Sequence, residues 1–254
     1  KLRNSFIGDL LPAWKTHPIV DSASKLRPLT TSYTPDQPER SQGTLVTHWI
    51  YQCALSALTG FEAINTSLYD RSAALFEAIA CAIRTNPRGT RILLAGSLFD
   101  EDREVLDTLV RETEIEFAIA PVNPSSGCLD FSALDSMGEE ATKGFAAFVF
   151  PQVNKFGLLE NVDDLADFAR ERGMRSVACI DPMLLAGGGL KPPTEFGKEG
   201  VDFIAGEAQH LAIPPNFGGP GLGLFGCRFN ERSKRDLRST PGRYVDKAKD
   251  VNGR

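Results

Sequence analysis

The sequence predicts an α/β fold, a three-layer α/β/α domain built on a mostly parallel sheet. Two observations lead there: from residue 91 onward short apolar runs of strand length alternate with stretches of helical period, and one run ends on a carboxylate, Asp181, followed by Pro182. Alternating strands and helices are what parallel strands joined by crossover helices require. Length is the third observation, since 254 residues can close one sizeable core and make one large domain the default.

Residues 1–32 mix polarity and carry Pro12, Pro18 and Pro28, which suits an irregular arm with one short helix. The polar series 33–43, with two prolines, suits an ordered loop. Val46, Trp49, Ile50, Cys53, Ala54, Ala57 and Leu58 then recur at helical spacing, giving an amphipathic helix closed by Gly60, with His48 off the stripe. A second helix, 72–84, is rich in small residues that allow close packing on a sheet, and it stops before Asn86-Pro87. Its N-terminus offers free amides and a partial positive charge, a suitable seat for a phosphate.

The strand candidates are 92–95, 117–120, 146–150, 177–180, 203–205 and 222–225. Between them, helix 102–112 carries Val105, Leu106, Leu109 and Val110 on one face. Helix 162–172 has Asn161 as N-cap, Asp163 and Asp164 in its first turn, and Gly173 at its end. The stretch 201–227 combines an apolar run, a polar turn 206–210, an Ile213-Pro214-Pro215 corner, the cluster Gly218-Gly219-Pro220-Gly221 and a second apolar run.

A net charge of -5 without a basic block excludes the electrostatic footprint of a nucleic-acid binder. Cys53, Cys81, Cys128, Cys179 and Cys227 lie far apart without CxxC spacing and read as buried thiols of a cytoplasmic protein. His17, His48 and His210 form no HExxH and no histidine–carboxylate cluster, which argues against a metal site. No apolar run reaches membrane-span length, and the N-terminus is no signal peptide. The start at Lys1 and the polar tail suggest a fragment. Gly187-Gly188-Gly189-Leu190-Lys191-Pro192 lacks the order of a P-loop, and no helix signal follows the 218–221 glycines, so both are expected to be tight turns.

In open α/β sheets ligands gather outside the C-terminal ends of strands, which puts Asp181 where chemistry is expected. Around it stand Tyr33-Thr34-Pro35-Asp36-Gln37-Pro38-Glu39, Ser41-Gln42-Gly43-Thr44-Leu45, Leu58-Thr59-Gly60, Tyr69-Asp70, Leu190-Lys191-Pro192-Pro193, Gly206-Glu207 with Gln209, Ile213-Pro214 and Phe217-Gly218-Gly219-Pro220. In this order, across nearly the whole chain, the blocks resemble the glycine-cleavage P-protein family, specifically its N-terminal half or separate subunit 1.

The resemblance implies the large domain of an aspartate-aminotransferase-like, pyridoxal-phosphate-dependent fold. It divides the chain into an arm and interface loop, 1–43, and a large domain, 44–254, without its C-terminal small domain. It also implies glycine decarboxylation, with pyridoxal phosphate on a partner subunit as electron sink and the aminomethyl group passing to the lipoyl arm of H-protein.

By this likeness Asp181 matches the aspartate that holds the pyridine nitrogen, Phe99 the stacking ring that is commonly histidine, and Gln209 the Schiff-base lysine. A carboxamide nitrogen is delocalised and cannot add to an aldehyde, so Asp181, Phe99 and Gln209 would line a vestigial pocket, and no residue of this chain alone would be catalytic. Tyr33, Thr34, Gln37, Glu39, Ser41 and Tyr69 are expected in a loop that shapes the partner's site.

Three departures stand out: Asp36 for a second tyrosine, Arg71-Ser72-Ala73 for glycine, alanine and threonine, and Phe99. Arg71 either meets an anion or is solvated, Phe99 either stacks on a ligand or packs the core, and Asp181 is either a structural relic or a working group. Two further functions remain open beside the subunit: a degenerate, non-catalytic binding partner, and an independent pyridoxal-phosphate enzyme using Lys191 or Lys198.

Overall fold

The structure is a computed structural model that describes residues 14–30, 34, 37, 42–138, 142–231, 233, 234, 236–242, 244, 249 and 251–253. Its frame is a seven-stranded sheet of β1 (Ala63–Ile64), β2 (Arg91–Ala95), β3 (Glu116–Ala120), β4 (Phe145–Pro151), β5 (Arg175–Ile180), β6 (Phe203–Glu207) and β7 (Gly223–Cys227). The order is β1-β7-β6-β5-β4-β2-β3, with β2 to β6 parallel and β7 antiparallel to both β6 and β1. All six predicted strands are present, five of them extended at one or both ends, while the last loses Leu222 and runs on to Cys227. The two-residue β1 is too short to leave a period in the sequence.

Every residue of β4 is buried, and so is all of β5 beyond Arg175. Successive strand side chains point to opposite faces, so both faces of the sheet are covered and the three-layer expectation holds. Helix α4 (Arg71–Thr85; α1 to α3 precede it, below) buries Ala74, Leu75, Ala78, Ile79 and Ala82, a face of small residues that lets it lie close across β4 to β7. Helix α7 (Val162–Glu171; α5 and α6 lie between) packs on β4 and β5, where Phe168 meets Phe148 at 5.8 Å between ring centroids. Its start is capped as expected, with Asn161 Oδ1 accepting from Asp164 N. The chain turns out of it through Gly173.

Helix α3 (Gly43–Thr59) ends at Gly60, whose φ of 76° a side chain would resist. Its period is the predicted one, but its apolar stripe is not turned inward. Only Leu55 and Thr59 are buried, while Val46, Ile50, Cys53, Ala54 and Ala57 are exposed. Cys53 therefore departs from the expected set of buried thiols; Cys81, Cys179 and Cys227 are buried and Cys128 is intermediate.

Helix α5 (Asp100–Val110) also differs in which face it buries: Asp102, Leu106 and Val110 point inward, whereas Val105 and Leu109 are exposed. The reason is that Asp102 has a buried partner, described below. Helix α6 (Phe131–Ser136) was not foreseen. The arm holds two short helices, α1 (Ile19–Ser24) and α2 (Arg27–Thr30), where one was expected. Residues 206–210 are not one polar turn: β6 runs through Glu207, and a single-turn helix, α8 (Gln209–Ala212), starts two residues later.

Candidate functional site

Because β2 to β6 run parallel, their C-terminal ends share one edge of the sheet, and the chain opens a cleft of about 240 Å³ there. It is lined by Phe99 beyond β2, Val153 beyond β4, Cys179 to Asp181 at the end of β5, Glu207 closing β6, and Gln209 and His210 in α8. Arg71 at the start of α4, Leu184 in the turn after β5 and Trp14 from the arm complete the wall. The three pocket residues read from sequence, Asp181, Phe99 and Gln209, are thus brought together.

Asp181 sits at the N-cap of the tight 3₁₀ turn Pro182–Gly188, and its Oδ1 accepts from Met183 N at 2.9 Å. The same oxygen lies 2.9 Å from His210 Nε2. This single histidine–carboxylate pair was not foreseen; the partners are 29 residues apart and only the β5–β6 pairing joins them. Trp14 packs its ring edge-on against His210 at 6.2 Å and donates its indole N–H to Ile213 O at 2.8 Å.

The hydrogen bond to Asp181 raises the His210 pKa above 6.5, outweighing burial, which acts the other way. A raised histidine pKa adds stability that is complete below the unfolded value near 6.5 and is lost as pH climbs through the folded value. Urea midpoints followed from about pH 6 to pH 9 are therefore expected to fall for the natural chain more steeply than for His210→Gln. Equal slopes would contradict the pairing.

Phe99 occupies the N-cap of α5, and the Arg71 guanidinium lies over its ring, 4.2 Å from the centroid. Arg71 Nε donates to Asp102 at 2.6 Å, and Ser72 Oγ donates to the other Asp102 oxygen at 2.7 Å. Arg71 is thus neither a solvated arginine nor a free receptor for an anion. It spans from the start of α4 to the buried face of α5.

The start of α4 departs from expectation too. Its amides do attract negative charge, but the chain supplies it: Asp70 Oδ1 accepts from Ala73 N at 2.7 Å, and Glu207 Oε2 from Arg71 N at 3.2 Å. Glu207 Oε1 takes two further amides, those of Gln209 and Leu222, each at 2.8 Å. Asp70 is held in place by the bridge between Leu68 and Gly223, where a Cβ on Gly223 would strike the backbone of Asp70.

Gln209 is buried, and its side-chain amide donates to Pro214 O at 3.3 Å. No lysine lines the cleft among the described residues. Lys191 pairs with Asp163 at 2.8 Å and Lys198 lies 3.5 Å from Glu171, both on the surface. Cys179 is no alternative nucleophile, since burial pushes its thiol up to about 12.

Of the loop residues, Tyr33, Asp36, Glu39 and Ser41 lie outside the described residues. Gln37 N donates to Thr34 O at 3.1 Å, a local turn. Tyr69 is 87% exposed beside the 213–222 loop, with its carbonyl against Gly221.

Trp14, Asp102 and His210 were missed as site residues. For Asp102 a signal existed, because it shares the i, i+4, i+8 face of α5 with Leu106 and Val110. Trp14 and His210 have none, since long-range packing alone brings them in.

The family description "Glycine cleavage system P-protein" matches residues 1–254. The chain belongs to the P-protein family. Among its relatives, the probable glycine dehydrogenase (decarboxylating) subunit 1 of Nitrosomonas europaea is 39% identical over 224 residues, covering 88% of this chain and 47% of that protein. The protein of the same description from Methylococcus capsulatus is 42% identical over 228 residues, with 88% and 48% covered.

The solved structure of a glycine decarboxylase (P-protein) in inhibitor-bound form aligns with a TM-score of 0.80 at 33% identity, covering 94% of this chain and 50% of that one. Alanine–glyoxylate aminotransferase from Nostoc sp. aligns over 99% of this chain and 60% of its own, with a TM-score of 0.59 and 14% identity, a likeness of fold. This member of the P-protein family spans about half the length of the curated relatives it matches.

Proposed function

We propose that this chain is the lysine-less half of a glycine dehydrogenase (decarboxylating), acting beside a second subunit that carries pyridoxal phosphate. Family membership and the names of its relatives support the activity. One observation carries the division of labour: the groups that would hold the cofactor in this cleft are engaged with each other. One face of Phe99 is covered by Arg71, amides of α4 are taken by Asp70 and Glu207, and Oδ1 of Asp181 is paired with His210, while Gln209 offers no amine. Such a site offers no amine to hold pyridoxal phosphate covalently. The cleft residues of this chain therefore hold structure, and its contribution to catalysis lies at the surface.

On this reading residues 1–43 form the arm and interface loop and 44–254 the large domain. Tyr33, Thr34, Gln37, Glu39, Ser41 and Tyr69 meet the companion's site, where glycine is decarboxylated and the lipoyl arm of H-protein receives the aminomethyl group. The unpaired buried thiols suit the cytoplasm. The same mutual engagement of the cleft's side chains also favours a second reading, a relative that works only as a structural partner, which differs in leaving turnover unchanged.

Incubation of the full natural chain with pyridoxal phosphate, borohydride reduction and peptide mapping tests the assignment. No site-specific label is expected, and none in Gln209→Lys either, because Arg71 still lies over Phe99 and Asp70 and Glu207 still take the α4 amides. Stoichiometric labelling of Lys191 or Lys198 in the natural chain would make it an independent pyridoxal-phosphate enzyme.

A further inference from the structure

We infer that the cleft at the C-terminal edge of the sheet is a non-covalent site for a small α-amino acid with an apolar side chain, an inference resting on the reading above that no cofactor is held there through a lysine. The side chains of the cleft engage one another only in part. Asp181 uses Oδ1 for Met183 N and His210, while its Oδ2 has no partner among the described residues and the side chain is 42% exposed. Arg71 donates to Asp102 through Nε, and Nη2 is the nitrogen nearest Glu101, which leaves Nη1 without a partner among the described residues. One open anionic atom and one open cationic atom therefore belong to residues that line the same small cleft.

Charge decides the class of ligand. A molecule that settles in the cleft displaces water from both groups, and a charge stripped of water needs a counter-charge. A simple anion would leave Asp181 unmatched, and a simple cation would leave Arg71 unmatched. A zwitterion matches both, its ammonium group meeting Asp181 Oδ2 and its carboxylate meeting Arg71 Nη1. Glu207, the other carboxylate of the wall, is already held by the amides of Arg71, Gln209 and Leu222.

Volume and lining set the rest. At about 240 Å³ the cleft is smaller than the roughly 300–1,000 Å³ of pockets for drug-sized ligands, so its occupant is small. Val153, Ile180 and Leu184 offer apolar surface, and Phe99 and Trp14 add aromatic surface. Glycine would leave that surface bare, whereas a leucine-sized side chain covers it. The ligand is bound unchanged, since Gln209 supplies no amine and Cys179 stays a neutral thiol.

Isothermal titration calorimetry of the full natural chain, free of its companion, with leucine, N-acetylleucine, leucinamide and glycine tests the assignment. The two derivatives keep the side chain and remove the ammonium or the carboxylate charge in turn. One leucine per chain is expected to bind, with each derivative and glycine at least about tenfold weaker. Asp181→Asn is expected to weaken leucine by about tenfold or more, although its side-chain oxygen can still accept from Met183 N and keep the turn.

Equal binding of leucine and both derivatives overturns the zwitterion, and undiminished binding to Asp181→Asn overturns the placement in the cleft. No binding of leucine up to about 10 mM overturns the site altogether. None of these results touches the lysine-less reading, which borohydride reduction tests by itself. Site-specific labelling of a lysine in that experiment overturns the reading and this inference with it.

Discussion

Asp102→Ala is expected to destabilise the fold by about 3–5 kcal/mol, the usual cost of removing one partner from a buried ion pair. Its carboxylate side chain is 1% exposed and takes both the Arg71 Nε hydrogen at 2.6 Å and the Ser72 hydroxyl at 2.7 Å. Truncation leaves the Arg71 guanidinium in the cleft with no buried counter-charge. Glu101, 3.7 Å from it, is half exposed, so water screens what it offers.

For a domain of this size the loss corresponds to a fall in melting temperature of roughly 6–20 °C. The double variant Arg71→Met, Asp102→Leu removes both charges together and is expected to recover most of the deficit, as apolar replacement of a buried pair generally does. Urea unfolding of the natural chain, the single variant and the double variant checks this. A deficit below about 1 kcal/mol for Asp102→Ala would mean that the pair is only a surface contact.

The sheet was legible because its strands are buried on both faces and so read as unbroken apolar runs, as in 145–151, all of them buried. The helices were legible for their period, and Gly60 and Asn161 marked ends as glycine and asparagine commonly do. Which helical face turns inward was less legible. In α5 the acid Asp102 is inside and Leu109 outside, because a partner 31 residues earlier in the chain makes burial of the charge tolerable. In α3 the apolar face is outside, because nothing among the described residues covers it. Hydrophobic periodicity records that a face is covered, not by which molecule.

The candidate site divides in the same way. Asp181 was read from its place after an apolar run, whereas Phe99 and Gln209 came from the family resemblance; all three line the cleft. Their partners were not. His210 reaches Asp181, and Trp14 reaches His210, through folding alone, and the carboxylates of Asp70 and Glu207 satisfy amides that the sequence offered to a phosphate. A sequence reading can name the lining of a pocket, but it cannot tell when the groups of that lining are already paired with one another.

That mutual engagement bears on activity. If the groups lining the cleft are taken up by one another and none is an amine, any chemistry must occur on the companion, and this chain contributes by completing the companion's site from outside. The contribution is then all or none, because an active site lacking one wall neither orients its substrate nor excludes water.

Glycine–bicarbonate carbon exchange by the lysine-bearing subunit with H-protein, measured with and without the full natural form of this chain, tests this directly. The account predicts exchange near background without the chain and full exchange once it is added in equal amount. Exchange that is already full without it, despite a complex confirmed by sedimentation, would contradict the account and leave the chain as a structural partner that has kept the fold alone.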